Sequence, residues 1–143
     1  MKLNLDCVRS VLLCVEDNTE LRKACCFVDT GLDESMEFVG ETVKPNDYQL
    51  KLLADYSNDE LIYHINYCIE AMLLSTSDLS TTYTIIIDNL TPKGHDFLAN
   101  IRDNKIWSGV KDVSANVGAN SLNAVMQIAA NVITEIIKAR FGL

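Results

Sequence analysis

The run TTYTIIIDNLTPKGHDFLANI, Thr81 to Ile101, changes from strand-favouring to helix-favouring chemistry within two residues. Its first half is dense in Thr and Ile, side chains that suit a pleated surface. Thr91 then offers a side-chain cap, and Pro92 stands at the first helical position, where a missing N–H leaves nothing unpaired. Leu90-Thr91-Pro92 is therefore a strand-to-helix junction, and Phe97, Leu98 and Ile101 point inward from the helix that follows. Such a helix locks its strand onto the body of the fold. Trp107 closes the packing beyond a break at Asp103-Asn104.

The rest of the chain must supply that body. Leu5, Val8, Val11, Leu12 and Val15 share one side of a first helix, with Asn4 available as its cap. CCFVDTG and MEFVGETV (36–43) read as a hairpin. After the break at Lys44-Pro45-Asn46-Asp47, a short second helix carries Leu50, Leu52 and Leu53. Ser57-Asn58-Asp59-Glu60 has capping-box spacing and opens a third helix. Leu61, Ile65, Cys68, Ile69 and Met72 form its apolar stripe. Asn58, Asp59, Ile62, Tyr63, Asn66, Tyr67 and Glu70 lie on its opposite side. Leu73 to Ser75 and Thr82 to Asp88 then read as a two-stranded wing.

Helix, helix, helix and wing in this order is the plan of a winged helix-turn-helix, so the expected class is α+β. The expected organisation is a winged-helix-like domain over 1–107, followed over 108–143 by a linker and a C-terminal helix. SGVKDVSANVGAN supplies the linker, and Ser121 caps the last helix. Leu122, Val125, Ala129, Val132 and Ile136 make its ridge, which Ile128, Ile133 and Ile137 widen beyond one side of a small core. That width fits either a helix enclosed by its own chain or a homodimer contact through Ile128, Ile133 and Ile137.

LTPKGHDFLANIRDNKIW, with MKLNLDCVRSVLL at the start and YSNDELIYHINYCIEAMLL between, resembles an uncharacterised family of phage and prophage proteins catalogued as domain of unknown function 2513. Gly94-His95-Asp96-Phe97-Leu98 followed by Asn100-Ile101-Arg102-Asp103 is the most specific element. The resemblance implies a winged-helix fold and a phage setting, and brings no catalytic residue. Two departures stand out: Met72 occupies a position where glycine is expected after Glu70-Ala71, and Pro92 stands where an aromatic is common.

With 143 residues, 48% of them apolar, and two prolines, the chain can bury about 70% of its extended surface in one core. It contains no membrane-length apolar run, and its N-terminus lacks the plan of a secretory signal, so the expected location is the bacterial host cytoplasm. Five cysteines without paired CxxC spacing fit reduced thiols acting as small apolar residues. His64 and Cys68 lie one helical turn apart but have no second ligand pair, so the reading is packing and no metal. His95 beside Asp96 comes with neither nucleophile nor orienting residue, and is read as capping or packing. The scattered glycines make no phosphate loop. No catalytic residues and no cofactor are expected.

Charge divides the chain unevenly. Residues 1–51 hold six basic and ten acidic side chains, 52–92 none and six, and 93–143 six and four. Phosphate backbones are gripped mainly by Lys and Arg, and the third helix and wing contain neither. A DNA-binding regulator would have to rely on Lys93, Arg102, Lys105 and Lys111. The preferred expectation is a host or phage protein partner, held by Asn58, Asp59, Ile62, Tyr63, Asn66, Tyr67 and Glu70. Tyrosines are enriched at interface hot spots, and an acidic surface can enter a basic groove made for nucleic acid.

Overall fold

A computed structural model describes residues 1–32 and 44–143. Among them are six helices and a small three-stranded antiparallel sheet. Helix α1 spans Leu5–Asn18, and the Asn4 side chain accepts from the Cys7 N–H at 3.2 Å. Its Cys7, Val8, Val11, Leu12 and Val15 are buried. Strand β1 is Cys25–Val28, α2 is Asp47–Leu53 and α3 is Asn58–Glu70. Ser57 caps α3 by accepting from the Glu60 N–H at 3.1 Å. The reciprocal half of the expected capping box is replaced, because the Glu60 carboxylate accepts from Asn4 Nδ2 at 3.2 Å.

The expected two-stranded wing belongs to a three-stranded sheet. Strands β2 (Leu74–Thr76) and β3 (Thr84–Leu90) pair antiparallel, and β3 also pairs with β1, in the order β1-β3-β2. The register sets Cys25 against Ile87 and Phe27 against Ile85. The segment 36–43, read as a hairpin strand, lies outside the described residues. The outward backbone groups of β1 bond to side chains of α2. Gln49, fully buried, donates from Nε2 to Val28 O at 2.6 Å and accepts from the Val28 N–H at 2.8 Å. The Tyr48 hydroxyl accepts from the Cys26 N–H at 2.7 Å and donates to Cys26 O at 2.9 Å.

The junction after β3 has the expected form. Thr91 caps α4 (Pro92–Ile101) by accepting from the Gly94 N–H at 3.0 Å. The same residue clasps the preceding turn: its N–H donates to Leu73 O at 3.0 Å, and its hydroxyl donates to Met72 O. Gly94 lies so close to that turn that a Cβ built on it would stand 2.2 Å from Leu73 O. Phe97, Leu98 and Ile101 are buried beside Leu12, Leu61, Ile65 and Ile87.

Two expectations are corrected here. The linker over 108–120 is helical as far as Val117, within α5 (Asn104–Val117), and Trp107 lies in that helix's first turn. Asp103 caps α5 by accepting from the Lys105 and Ile106 N–H groups, and Gly118 ends it in the left-handed region at φ 69°. The inward positions are Trp107, Val110 and Ser114, and the Ser114 hydroxyl donates to Val110 O. Met72, placed by spacing on the α3 stripe, falls after the helix end. It is 67% exposed and left-handed at φ 64°, which explains why glycine is the favoured residue there.

Helix α6, Leu122–Phe141, starts at Ser121, which accepts from the Ala124 N–H. Leu122, Val125 and Ala129 are buried. From Thr134 onward every residue is exposed. An α6 enclosed along its length by its own chain is thereby ruled out, and the ridge position Ile136 lies in open surface.

Candidate functional site

Helix α3 is held from beneath by Leu61, His64, Ile65 and Cys68, all fully buried. His64 bridges two elements: its Nε2 accepts from the Asn4 N–H at 2.8 Å, and Nδ1 donates to Glu60 O at 2.7 Å. Both ring nitrogens are thus used in packing α1 against α3. Burial pushes the Cys68 and Cys7 thiols up to about 12. Hence these are inert core side chains. All five cysteines are free thiols, and among the described residues no three His, Cys, Asp or Glu side chains converge as a metal site.

The outward side of α3 separates into two regions. At its start, Asn58 is occupied within the chain: Nδ2 donates to Asp29 Oδ1 at 2.9 Å, and Oδ1 accepts from the Thr30 N–H at 2.9 Å. Asp59 remains exposed beside it. Further along, Tyr63 (39% exposed), Asn66 and Glu70 face outward. Ile62 and Tyr67 are half-buried against the core, so sequence spacing overstated their exposure. The Tyr63 and Tyr67 rings lie 6.2 Å apart, and Tyr63 meets the buried His64 ring edge-on at 5.2 Å. Tyr63 is therefore an outward aromatic set on a fixed support.

A groove of about 400 Å³ continues this face, lined by Tyr67, Glu70, Met72, Lys93, Leu122 and Met126. Lys93 Nζ donates to Ala71 O at 3.3 Å, on the clasped turn. No sequence signal identified this groove, because its walls come from α3, α4 and α6 and meet only in the fold.

Three of the four cations proposed for a DNA backbone have partners in their own chain. Besides Lys93, Arg102 makes a two-pronged bond to Glu16 at 2.8 and 2.6 Å. Lys111 bonds Asp6 at 2.9 Å and stands 5.7 Å over the Trp107 ring. Trp107 Nε1 donates to the same Asp6 oxygen at 2.8 Å. Burial pushes the Asp6 carboxyl up, but the Lys111 and Trp107 hydrogen bonds outweigh it and hold it below its ordinary value. Arg102 does the same for Glu16. Lys105 is exposed and makes no ion pair among the described residues. His95 is also exposed, so the expected packing role for its ring does not hold; its N–H bonds Thr91 O in the first turn of α4.

The three residues expected at a dimer contact lie on α6, with Ile128 and Ile133 half-buried and Ile137 exposed. Of the three, Ile128 lines a second groove, of about 450 Å³, between Val113 of α5 and Val132, Ile136 and Ala139 of α6. Among the described residues, no helix is long and apolar enough to cross a membrane.

The chain belongs to the family described as hypothetical protein DUF2513, which matches residues 2–120. It is also 30% identical over 138 residues to an uncharacterized protein of Haemophilus influenzae (strain ATCC 51907 / DSM 11121 / KW20 / Rd), covering 96% of this chain and 99% of the other. No solved structure matches. The family match ends just before Ser121, the cap of α6.

Proposed function

We propose that α1 to β3 form a winged helix-turn-helix unit that binds protein and catalyses nothing, acting as a phage or prophage product in the cytoplasm of a bacterial host. The element order, with β1 antiparallel to β3 beside a β2–β3 wing, suits that fold. One observation carries the functional reading. The outward face of α3 presents Tyr63, braced by Tyr67 and His64, between the exposed carboxylates of Asp59 and Glu70. An aromatic anchor on a rigid helix loses little freedom on binding. The flanking acids favour a basic protein surface and repel duplex phosphates. Arg102 and Lys111 are already neutralised by Glu16 and Asp6, which weakens the case for a DNA grip from α4 and α5. A host factor whose basic groove normally holds nucleic acid, such as a defence component, has the complementary chemistry.

The test is capture of partners by the tagged chain from host extract treated with nuclease, compared with Tyr63→Ala and Glu70→Lys variants. Because Tyr67 is half-buried, it is left intact so that folding is not disturbed. The expected result is one protein partner lost with either variant. Salt-sensitive nanomolar binding of the unmodified chain to a specific duplex would refute the proposal.

A further inference from the structure

We propose that Cys14 and Cys25 are an oxidisable dithiol, which a peroxide closes into a disulfide joining the end of α1 to the start of β1. The chain brings the two residues together by a short return. Helix α1 ends at Asn18, and beyond it Glu20 and Lys23 exchange N–H···O bonds at 2.9 and 3.1 Å, so the chain reverses between helix and strand. Across that reversal the Cys14 and Cys25 thiols hydrogen-bond to each other. Side chains that point at one another are the condition for a disulfide that most cysteine pairs fail. Asn18 fixes one of them: its Nδ2 donates to Cys14 O at 2.8 Å and stands 3.8 Å from Cys14 Sγ.

The surroundings give the two sulfurs different parts. Cys25 is fully buried, whereas Cys14 is partly exposed, so a small oxidant meets Cys14 first. The hydrogen bond from Cys14 holds the Cys25 thiol below its ordinary value against the effect of burial, with help from the Tyr48 hydroxyl and Lys23. The same bond, together with burial, pushes the Cys14 thiol up. A pair that has lost one proton therefore shares the other, and its passage along the S–H···S bond to Cys25 leaves the charge on Cys14.

The chemistry follows from that exchange. The Cys14 thiolate attacks one oxygen of hydrogen peroxide, the O–O bond breaks, and hydroxide leaves a sulfenic acid on Cys14. Cys25, as thiolate, then attacks the Cys14 sulfur and expels the second hydroxide. The two hydroxides take up the two thiol protons, so two thiols and one peroxide become one disulfide and two waters. Cys7 and Cys68 lack a partly exposed partner, both being fully buried. Cys26 adjoins Cys25 on β1, where successive side chains point to opposite faces. Closure ties α1 to the strand whose outward groups α2 covers. This inference is independent of the α3 face and of what that face binds.

Peroxide treatment of the native full chain, followed by catalase, alkylation and tryptic mapping, tests it. Cleavage after Arg9, Arg22 and Lys23 leaves Cys14 and Cys25 on separate peptides. The expected result is that these peptides are joined and that free thiols fall from five to three, five less the two that pair, with dithiothreitol restoring all of them. The link should persist in Cys26→Ser and vanish in Cys14→Ser and Cys25→Ser. Closing a loop restrains the unfolded chain, so the oxidised protein should melt at a higher temperature than the reduced one, a rise absent from Cys14→Ser. Cys14 is partly exposed, and circular dichroism verifies that its substitution leaves the fold intact. Five free thiols after treatment would overturn the proposal, as would sulfinic acid on Cys14 without a link, a link between two chains, or one that survives in Cys25→Ser.

Discussion

Gly94→Ala is expected to destabilise the protein although alanine is the better helix former. The added Cβ would stand 2.2 Å from Leu73 O, where an ordinary carbon–oxygen contact is about 3.3 Å or more. The first turn of α4 must move by about 1 Å relative to the α3–β2 turn. That movement loosens the Thr91 bonds to Met72 O and Leu73 O, each contributing about 1 kcal/mol. Overpacking adds roughly 1–3 kcal/mol, and improved helix propensity returns about 1 kcal/mol. The net loss is about 2–4 kcal/mol, a fall in Tm of roughly 6–12 °C. Gly109→Ala supplies the internal control, because a Cβ there meets nothing within 4 Å. It is expected to gain about 0.5–1 kcal/mol. Urea unfolding of the three proteins checks both signs. A Gly94→Ala protein as stable as the unmodified chain would refute the close-approach argument.

Gln49→Leu removes the side chain that satisfies both backbone groups of Val28; a loss of about 2–4 kcal/mol in urea unfolding is expected. Met72→Gly relieves a left-handed backbone at an exposed position, so a gain of up to about 1 kcal/mol is expected, with no gain for Met72→Ala. The carboxyls of Asp6 and Glu16 are both held below their ordinary values, so their contribution is complete above the unfolded-chain carboxylate values of about 4 and is lost as pH falls through the folded ones. Both are partly solvated, so the effect is modest. Thermal melts from pH 6 to pH 2 should show a decline below about pH 4 that is shallower in Glu16→Gln.

Local chemistry made several elements legible in the sequence. Asn4, Ser57, Thr91 and Ser121 cap the helices they precede, and Pro92 begins α4, because such signals act within one turn of chain. Helix α5 was missed for a local reason too: Ser114 occupies an inward position and Gly109 interrupts the pattern, so its apolar stripe is thin. The pairing of β1 with β3 joins Cys25 to Ile87, too distant in sequence for periodicity to reveal. The α3 face was legible as a set of residues but not as a surface. Spacing assigns Asn58 and Tyr67 to one outward side, whereas Asp29 and Thr30 take up the first and the core takes up much of the second.

The bonds from Tyr48 and Gln49 to Cys26 and Val28 have a consequence for behaviour at high concentration. A sheet's outermost strand is a template on which another chain can add itself, and among the described residues β1 is such a strand. Here two side chains from one short helix occupy its outward donors and acceptors, so the template is covered only while α2 remains docked. Detachment of α2 would leave that edge open without requiring the rest of the core to unfold. Aggregation should therefore follow the opening of this one helix, and substitutions in α2 should accelerate it more than equally destabilising substitutions in α4.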